Sequence, residues 1–310
     1  MSGGHTGGDV RTVRAGRRNI GVHRPDKVLF PDREPPLTKA DLVGHYRDLA
    51  PYMLPGLKGR PLMLERHPDG VGGPRFMQKN TPESYPEWIR RAELPKKGGT
   101  VTHAVCDDTA TLLYLADQAC VTFHRWQSRA DRPDRPDRLV FDLDPADGGG
   151  FEQVRAAARR LGELLEEIRL PAALMTTGSR GLHVLVPLDR AAGFDEVRAF
   201  AGEAADLLTL RDPEHLTTEM RTEARGGRLY LDLQRNAYAQ TSVAPYSVRA
   251  KPDAPVATPL TWDQLDDPGV HARRWSVGDV LEQARSDPWS HLPARGRGLG
   301  PAARRLRALR

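Results

Sequence analysis

The chain has 310 residues, 39% of them hydrophobic and 28% charged, enough for one large domain or two ordinary ones with a self-sufficient core. Two cysteines exclude a disulfide-rich secreted framework and a four-cysteine zinc site. No apolar run of about 18 residues predicts a membrane span, residues 1–18 lack a signal peptide's apolar stretch, and a cytoplasmic location is the default. A net charge of +5 permits a polyanionic partner without establishing one.

The basic residues gather at both ends: Arg11, Arg14, Arg17 and Arg18 at the start, and Arg295, Arg297, Arg304, Arg305, Arg307 and Arg310 in a final twenty residues without an acid. Solvated tails and nucleic-acid arms both fit this pattern. Residues 1–18 read as a disordered basic segment, residues 19–290 as the folded domain and residues 291–310 as a basic tail. A helix is expected from Thr38 as N-cap through Leu42, Tyr46 and Leu49. Strands are expected at 61–65, 101–105 and 121–124, with a helix at 109–119 between the last two. Residues 131–138, DRPDRPDR, read as a stiff surface connection. Beyond it, strands at 139–141, 173–176, 182–188 and 229–233, and a weaker one at 242–247, alternate with helices at 151–168, 194–208 and 277–284. The class is therefore α/β or α+β.

Within Leu139-Val140-Phe141-Asp142-Leu143-Asp144-Pro145, strand alternation puts Asp142 and Asp144 on one face. Two carboxylates so placed repel each other unless a cation lies between them, and hard divalent cations take such oxygen ligands. The plainer reading is one capping and one solvated aspartate. Asp232, inside the apolar strand Leu229-Tyr230-Leu231-Asp232-Leu233, adds a third acid; paired with Arg225 or Arg228 it would instead be a buried ion pair. Three strand-borne aspartates are what two-metal phosphoryl transfer needs. Between two expected strands, Thr177-Gly178-Ser179-Arg180-Gly181-Leu182-His183 offers two glycines for close approach to an anion and four donor side chains, or else forms an ordinary Gly-rich hairpin. His124, Arg235, Arg249 and Lys251 are weaker candidates for the same site.

In this order and spacing the motifs resemble the polymerase domain of bacterial DNA ligase D, in the archaeo-eukaryotic primase superfamily. Residues 24–31 (Arg-Pro-Asp-Lys-Val-Leu-Phe-Pro) resemble that family's opening motif, followed by Thr38-Lys39-Ala40-Asp41. Residues 141–145, 177–183, Asp232 with Arg235-Asn236, and 244–249 resemble its later motifs. The resemblance runs from about Arg24 to Leu281. It implies an α+β primase-like fold with mostly antiparallel central sheets flanked by helices around an acidic cleft. It also implies a template-dependent nucleotidyltransferase of double-strand break repair by end joining.

By position, Asp142, Asp144 and Asp232 would be the catalytic acids and hold two Mn²⁺ or Mg²⁺ ions. His124, Thr177, Ser179, Arg180, Gly181, His183, Arg225, Arg235, Arg249 and Lys251 would meet the nucleotide. Arg24, Lys27, Lys39 and Lys79 would meet DNA, with Lys27 and Lys39 on a downstream 5′-phosphate and Phe76 stacked near the template. DNA with gapped or broken ends, an NTP or dNTP, a Ku-like end-binding protein and a separate ATP-dependent ligase are the implied partners, with a monomer as default and a nucleoid-associated location. Thr177 and Arg180 stand where the family more often has Ser and Lys, Arg24 where it often has Asn, and Met77 where a second aromatic can occur. The Arg-rich end, with no ligase or nuclease segment after it, suggests a stand-alone polymerase. A non-catalytic DNA-end binding module and a de novo primase are the alternatives.

Overall fold

The computed structural model describes residues 9–145 and 149–310. Strands β1 (Val10–Ala15) and β2 (Arg18–His23) form an antiparallel hairpin that registers Val13 against Ile20. This corrects the expectation of disorder for residues 10–18; residues 1–8 lie outside the described residues. The reason is alternation: Ala15, Ile20 and Val22 make one apolar face and are buried, while Arg18 lies over Trp88. Strand β3 (Val28–Phe30) pairs with β4 (Leu37–Thr38), which delivers the chain into α1 (Lys39–Leu57). Thr38 and Asp41 close a capping box there: Thr38 Oγ1 accepts from Asp41 N, and Asp41 Oδ2 accepts from Thr38 N. The helix continues through Pro51 and Pro55, past its expected end, because Met53 and Leu57 are fully buried beyond the first proline.

The next elements are β5 (Leu62–Arg66), β6 (Phe76–Gln78), the hairpin β7 (Arg91–Lys96) and β8 (Gly99–Ala104), α2 (Thr109–Asp117) and β9 (Cys120–Trp126). Residues 131–138 are not a simple surface connection. They supply β11 (Arg132–Pro136), paired with β10 (Ser128–Arg129), and Asp137, which lies 2.6 Å from the wholly buried Arg60. A buried guanidinium requires a counter-charge, and this segment carries it.

Strand β12 (Arg138–Asp144) is followed by α3 (Phe151–Glu167), β13 (Ala173–Thr176), β14 (Leu182–Pro187), α4 (Phe194–Arg211), β15 (Leu216–Thr217), α5 (Thr222–Arg225) and β16 (Leu229–Asp232). Strands β17 (Thr241–Val243) and β18 (Pro259–Leu260) and helices α6 (Val280–Arg285) and α7 (Leu299–Ala308) complete the chain. Helix α7 corrects the expected basic tail. Leu299, Ala302 and Leu306 recur at helical spacing and are buried, and Arg307 makes a two-pronged pair with Glu203 of α4.

Two sheets organise the molecule. One is six-stranded, in the order β15-β16-β12-β14-β13-β18, antiparallel except for the β15–β16 pair; the other is β17-β9-β5-β6, antiparallel throughout. The fold is thus α+β with mostly antiparallel sheets, as expected. On β12, Leu139, Phe141 and Leu143 point into the main core with Val154, Leu161 and Leu165 of α3. A fully buried leucine there contributes about 2 kcal/mol. Val140 points the other way and, with Ala173, Met175, Leu185, Val243 and Ala257, forms a small apolar cluster joining the two sheets. Asp142 and Asp144 continue that inner face.

Candidate active site

Directly opposed residues on antiparallel strands share a face. Asp142 of β12 opposes His183 of β14 on one side and Asp232 of β16 on the other, so Asp142, Asp144, His183 and Asp232 share the inner face of the six-stranded sheet. On the second sheet His124 opposes both Met63 and Val243, and Glu65 opposes Met77. The two faces meet at a cavity of about 280 Å³ lined by Met63, Met77, His124, Asp142, Asp144, Thr177, Ser179, His183, Arg235 and Arg249, among others. A larger cavity, about 830 Å³ beside Trp262 and α3, is lined by none of the residues expected to meet substrate.

The turn from β13 to β14 is built for close approach. Gly178 has φ of +62°, and a Cβ there would press on the Arg249 side chain; at Gly181 it would collide with the Leu143 carbonyl on β12. Thr177 Oγ1 accepts from the amides of Ser179 and Gly181 at 3.3 and 3.2 Å, which tightens the turn. Arg249 Nη1 donates to the Thr177 carbonyl at 2.7 Å, and Arg273, which the sequence did not single out, donates from Nε to the Ser179 carbonyl at 3.0 Å. Lys251 stands at this rim; burial lowers its pKa, and the charges of Arg273, Arg249 and Arg180 add to that.

Burial alone would raise the pKa of Asp142, but His183 and Arg235 more than offset it and hold the carboxyl at about 2. His183 Nε2 lies 3.4 Å from Asp142 Oδ1, and Arg235 Nε donates to Oδ2 at 3.1 Å. Asp144 is pushed the other way by burial and by the charge of Asp142, with Arg180 Nη2 3.2 Å from its Oδ2 opposing the shift. Asp232 Oδ1 accepts from Gln234 N at 2.7 Å. Among the described residues no three His, Cys, Asp or Glu side chains are gathered into a formed metal cage. Asp142 and Asp144 meet arginines instead. Asn236 fixes the strand beneath them, pairing with both the amide and the carbonyl of Val140.

On the opposite wall Glu65 was missed by sequence reasoning. Its oxygens lie 3.3 Å from His67 and from His124; burial opposes ionisation there, and these two bonds keep the carboxylate well below its ordinary range. Burial lowers the pKa of His124, and the bond to Glu65 opposes that shift. The signal that pointed to Asp232, an acid in an apolar strand, was present in a weaker form at Leu62-Met63-Leu64-Glu65, where the acid stands at the end of the expected strand.

Three expected contacts lie apart from this cavity. Arg225 stacks on Tyr230, 4.4 Å from the ring centroid, and donates to the carbonyls of Glu219 and Met220. Phe76 is exposed on the edge strand β6, opposite Arg66, while Met77 of the same strand lines the cavity. Lys79 is exposed just beyond β6.

A second cluster of charge forms at the start of α1. Lys39 N donates to the Lys27 carbonyl at 2.8 Å and Ala40 N to that of Pro25 at 2.9 Å, which brings Arg24, Lys27 and Lys39 together. Lys27 Nζ pairs with Asp69 at 3.0 Å; the buried Lys39 Nζ lies 3.4 Å from Asp117, which also accepts from His23 Nδ1 at 2.9 Å. Burial lowers the pKa of Lys39, Asp117 raises it, and Arg24 and Lys27 lower it further. Three cations, Arg24, Lys27 and Lys39, thus stand together beside the capped start of α1.

Residues 38–289 match the family profile described as LigD, primase-polymerase domain. This chain belongs to that family. LigD of Mycobacterium tuberculosis, a multifunctional non-homologous end joining DNA repair protein, is 34% identical over 281 residues, which is 88% of this chain and 36% of that protein. LigD of Mycolicibacterium smegmatis is 34% identical over 267 residues, 85% of this chain and 35% of that protein. The chain thus spans about a third of the length of these relatives. The polymerase domain of Mycobacterium tuberculosis ligase D, solved in complex with DNA, superposes with a TM-score of 0.81 at 33% identity, covering 87% of this chain and 95% of that one. LigD primase-polymerase domains are a nucleotidyltransferase family. No helix among the described residues is long and apolar enough to cross a membrane.

Proposed function

We propose that this LigD-type domain is a template-directed repair polymerase that adds nucleotides to a primer 3′-hydroxyl at gaps or broken ends with a downstream 5′-phosphate. The observation that carries this reading is one cavity holding both the shared face of Asp142 and Asp144 and the Gly-rich turn. Three carboxylates on one face, two of them close enough that one raises the pKa of the other, fit a hard divalent cation. Asp142, Asp144 and Asp232 would hold two Mn²⁺ or Mg²⁺ ions, which when bound supply Lewis-acid activation and charge compensation at the leaving group.

The chain's own residues bind and orient. The Ser179 hydroxyl and the Gly178 and Arg180 amides of the turn that Thr177 holds in shape receive the triphosphate, with Arg180, Arg235, Arg249 and Lys251 balancing its charge. Attack of the primer 3′-oxygen forms the new P–O bond at the α-phosphorus, the α–β bridging bond breaks, pyrophosphate leaves, and the hydroxyl proton passes to solvent. His183 steadies Asp142, while Met63 and Met77 give the nucleotide an apolar wall. Lys27 and Lys39, with Arg24, hold the downstream 5′-phosphate; Phe76 stacks on an exposed template base, and Lys79 and Arg225 track the backbone. A Ku-like end-binding protein and an ATP-dependent ligase are the partners this role requires.

The test is templated primer extension with Mn²⁺ or Mg²⁺, comparing ribonucleotides with deoxyribonucleotides. Wild type should add the templated nucleotide, and Asp142→Ala should not while still binding DNA. Extension retained in Asp142→Ala would remove the carboxylates from the mechanism.

A further inference from the structure

The acids and the arginines expected to serve two different ligands are bonded to each other. Arg235 touches Asp142 through Nε alone, at 3.1 Å, and Arg180 touches Asp144 through Nη2 alone, at 3.2 Å. Neither guanidinium makes another hydrogen bond among the described residues. A guanidinium can grip a carboxylate with two parallel bonds, so a single bond leaves most of its donors free for another anion. Both arginine side chains are about half exposed, 40% for Arg235 and 57% for Arg180. Asp144 is half-exposed too, so its pair costs little to part, whereas Asp142 is buried and keeps His183 Nε2 at 3.4 Å when Arg235 leaves. Arg249 lines the same cavity but differs: it is anchored on the Thr177 carbonyl and touches neither acid.

We propose that Arg180 and Arg235 are internal counter-cations for Asp144 and Asp142, which they surrender to a divalent cation when the phosphates of a nucleoside triphosphate draw both guanidiniums away. This rests on the polymerase reading and adds to it a coupling between the two ligands. With neither bound, two acids and two arginines balance, so the inner face stays folded without a metal. A divalent cation arriving alone must displace a guanidinium that then has no partner. A triphosphate arriving alone must pull arginines from carboxylates left facing each other. Together each removes the other's cost, and linkage requires the gain to be the same for both.

The test is Mn²⁺ binding to the full chain by electron paramagnetic resonance, without nucleotide, in wild type, Arg235→Gln, Arg180→Gln and Arg249→Gln. Each substitution removes one positive charge near the acids, but only the first two remove a counter-cation. Arg235→Gln should tighten Mn²⁺ about tenfold and Arg180→Gln somewhat less, with a clearly smaller gain in Arg249→Gln, whose charge acts on both acids without touching either. Because Arg180 is exposed, its variant keeps the comparison valid if Arg235→Gln misfolds. The reciprocal arm measures triphosphate binding in a chelator: Asp142→Asn should bind it more tightly than Asp232→Asn, which removes the same charge from an acid holding no arginine. Equal effects of Arg235→Gln, Arg180→Gln and Arg249→Gln would overturn the counter-cation role while leaving the metal site intact. No Mn²⁺ bound by wild type or any variant would overturn the metal reading itself, and the inference with it.

Discussion

The inner face of the six-stranded sheet and the corner at the start of α1 both concentrate like charge, but they control it differently. On the sheet, Asp142, Asp144 and Asp232 are set side by side by strand register, and half-exposed arginines neutralise two of them. At the corner, Lys27 and Lys39 are brought together by backbone hydrogen bonds across a turn, and the buried Asp117 partly neutralises Lys39 from below. The first arrangement suits ligands that come and go with each turnover. The second suits one anion that is to be held in place, because backbone hydrogen bonds fix where the two lysines stand. Regularity makes the sheet's chemistry legible, whereas the corner depends on how one loop crosses another.

The largest effect tests the sheet. Asp144→Ala should lower extension on the order of 10³-fold, read in single-turnover assays, with DNA affinity within about twofold of wild type. Gly181→Ala asks whether the strands must approach so closely: its Cβ meets the Leu143 carbonyl, and denaturant unfolding should show a loss of about 3 kcal/mol. Acid titration isolates the electrostatics. Asp142 is held at about 2, below the ~3.9 of a free aspartate, so its ionised form stabilises the fold above about pH 4. That contribution, about 3 kcal/mol, is lost as pH falls toward 2, and Asp142→Asn should flatten this limb of the stability curve. The smallest effect tests the corner: Lys27→Gln should reduce the preference for 5′-phosphorylated over 5′-hydroxyl gapped DNA about tenfold, by anisotropy titration. An unchanged preference would assign the corner to folding rather than to DNA.

What the sequence disclosed follows the same division. Period-two alternation showed that Asp142 and Asp144 share a face, and two glycines marked the turn at 177–183; that Asp232 joins that face follows from the β12–β16 register, which the sequence does not show. Alternation could not show that Arg235 and Arg180 reach back to those acids, because their spacing follows no period. Hairpin β1–β2 was hidden by its many arginines, two of which, Arg11 and Arg18, interrupt the face on which Val13, Ile20 and Val22 carried the pattern. Pro51 and Pro55 argued for an early end to α1, and burial of Met53 and Leu57 overrode them. In α7 the arginines masked an apolar stripe at Leu299, Ala302 and Leu306. The cation corner was read from resemblance alone, since nothing in the spacing of Lys27 and Lys39 predicts that their backbones join.

The most direct measurement puts both regions in one experiment: filling a single-nucleotide gap whose downstream strand ends in a 5′-phosphate or a 5′-hydroxyl, in wild type, Asp142→Ala and Lys39→Gln. The account predicts templated addition stimulated by the phosphate in wild type, no addition in Asp142→Ala on either substrate, and addition no longer stimulated by the phosphate in Lys39→Gln. Addition by Asp142→Ala, or phosphate stimulation undiminished in Lys39→Gln, would contradict it.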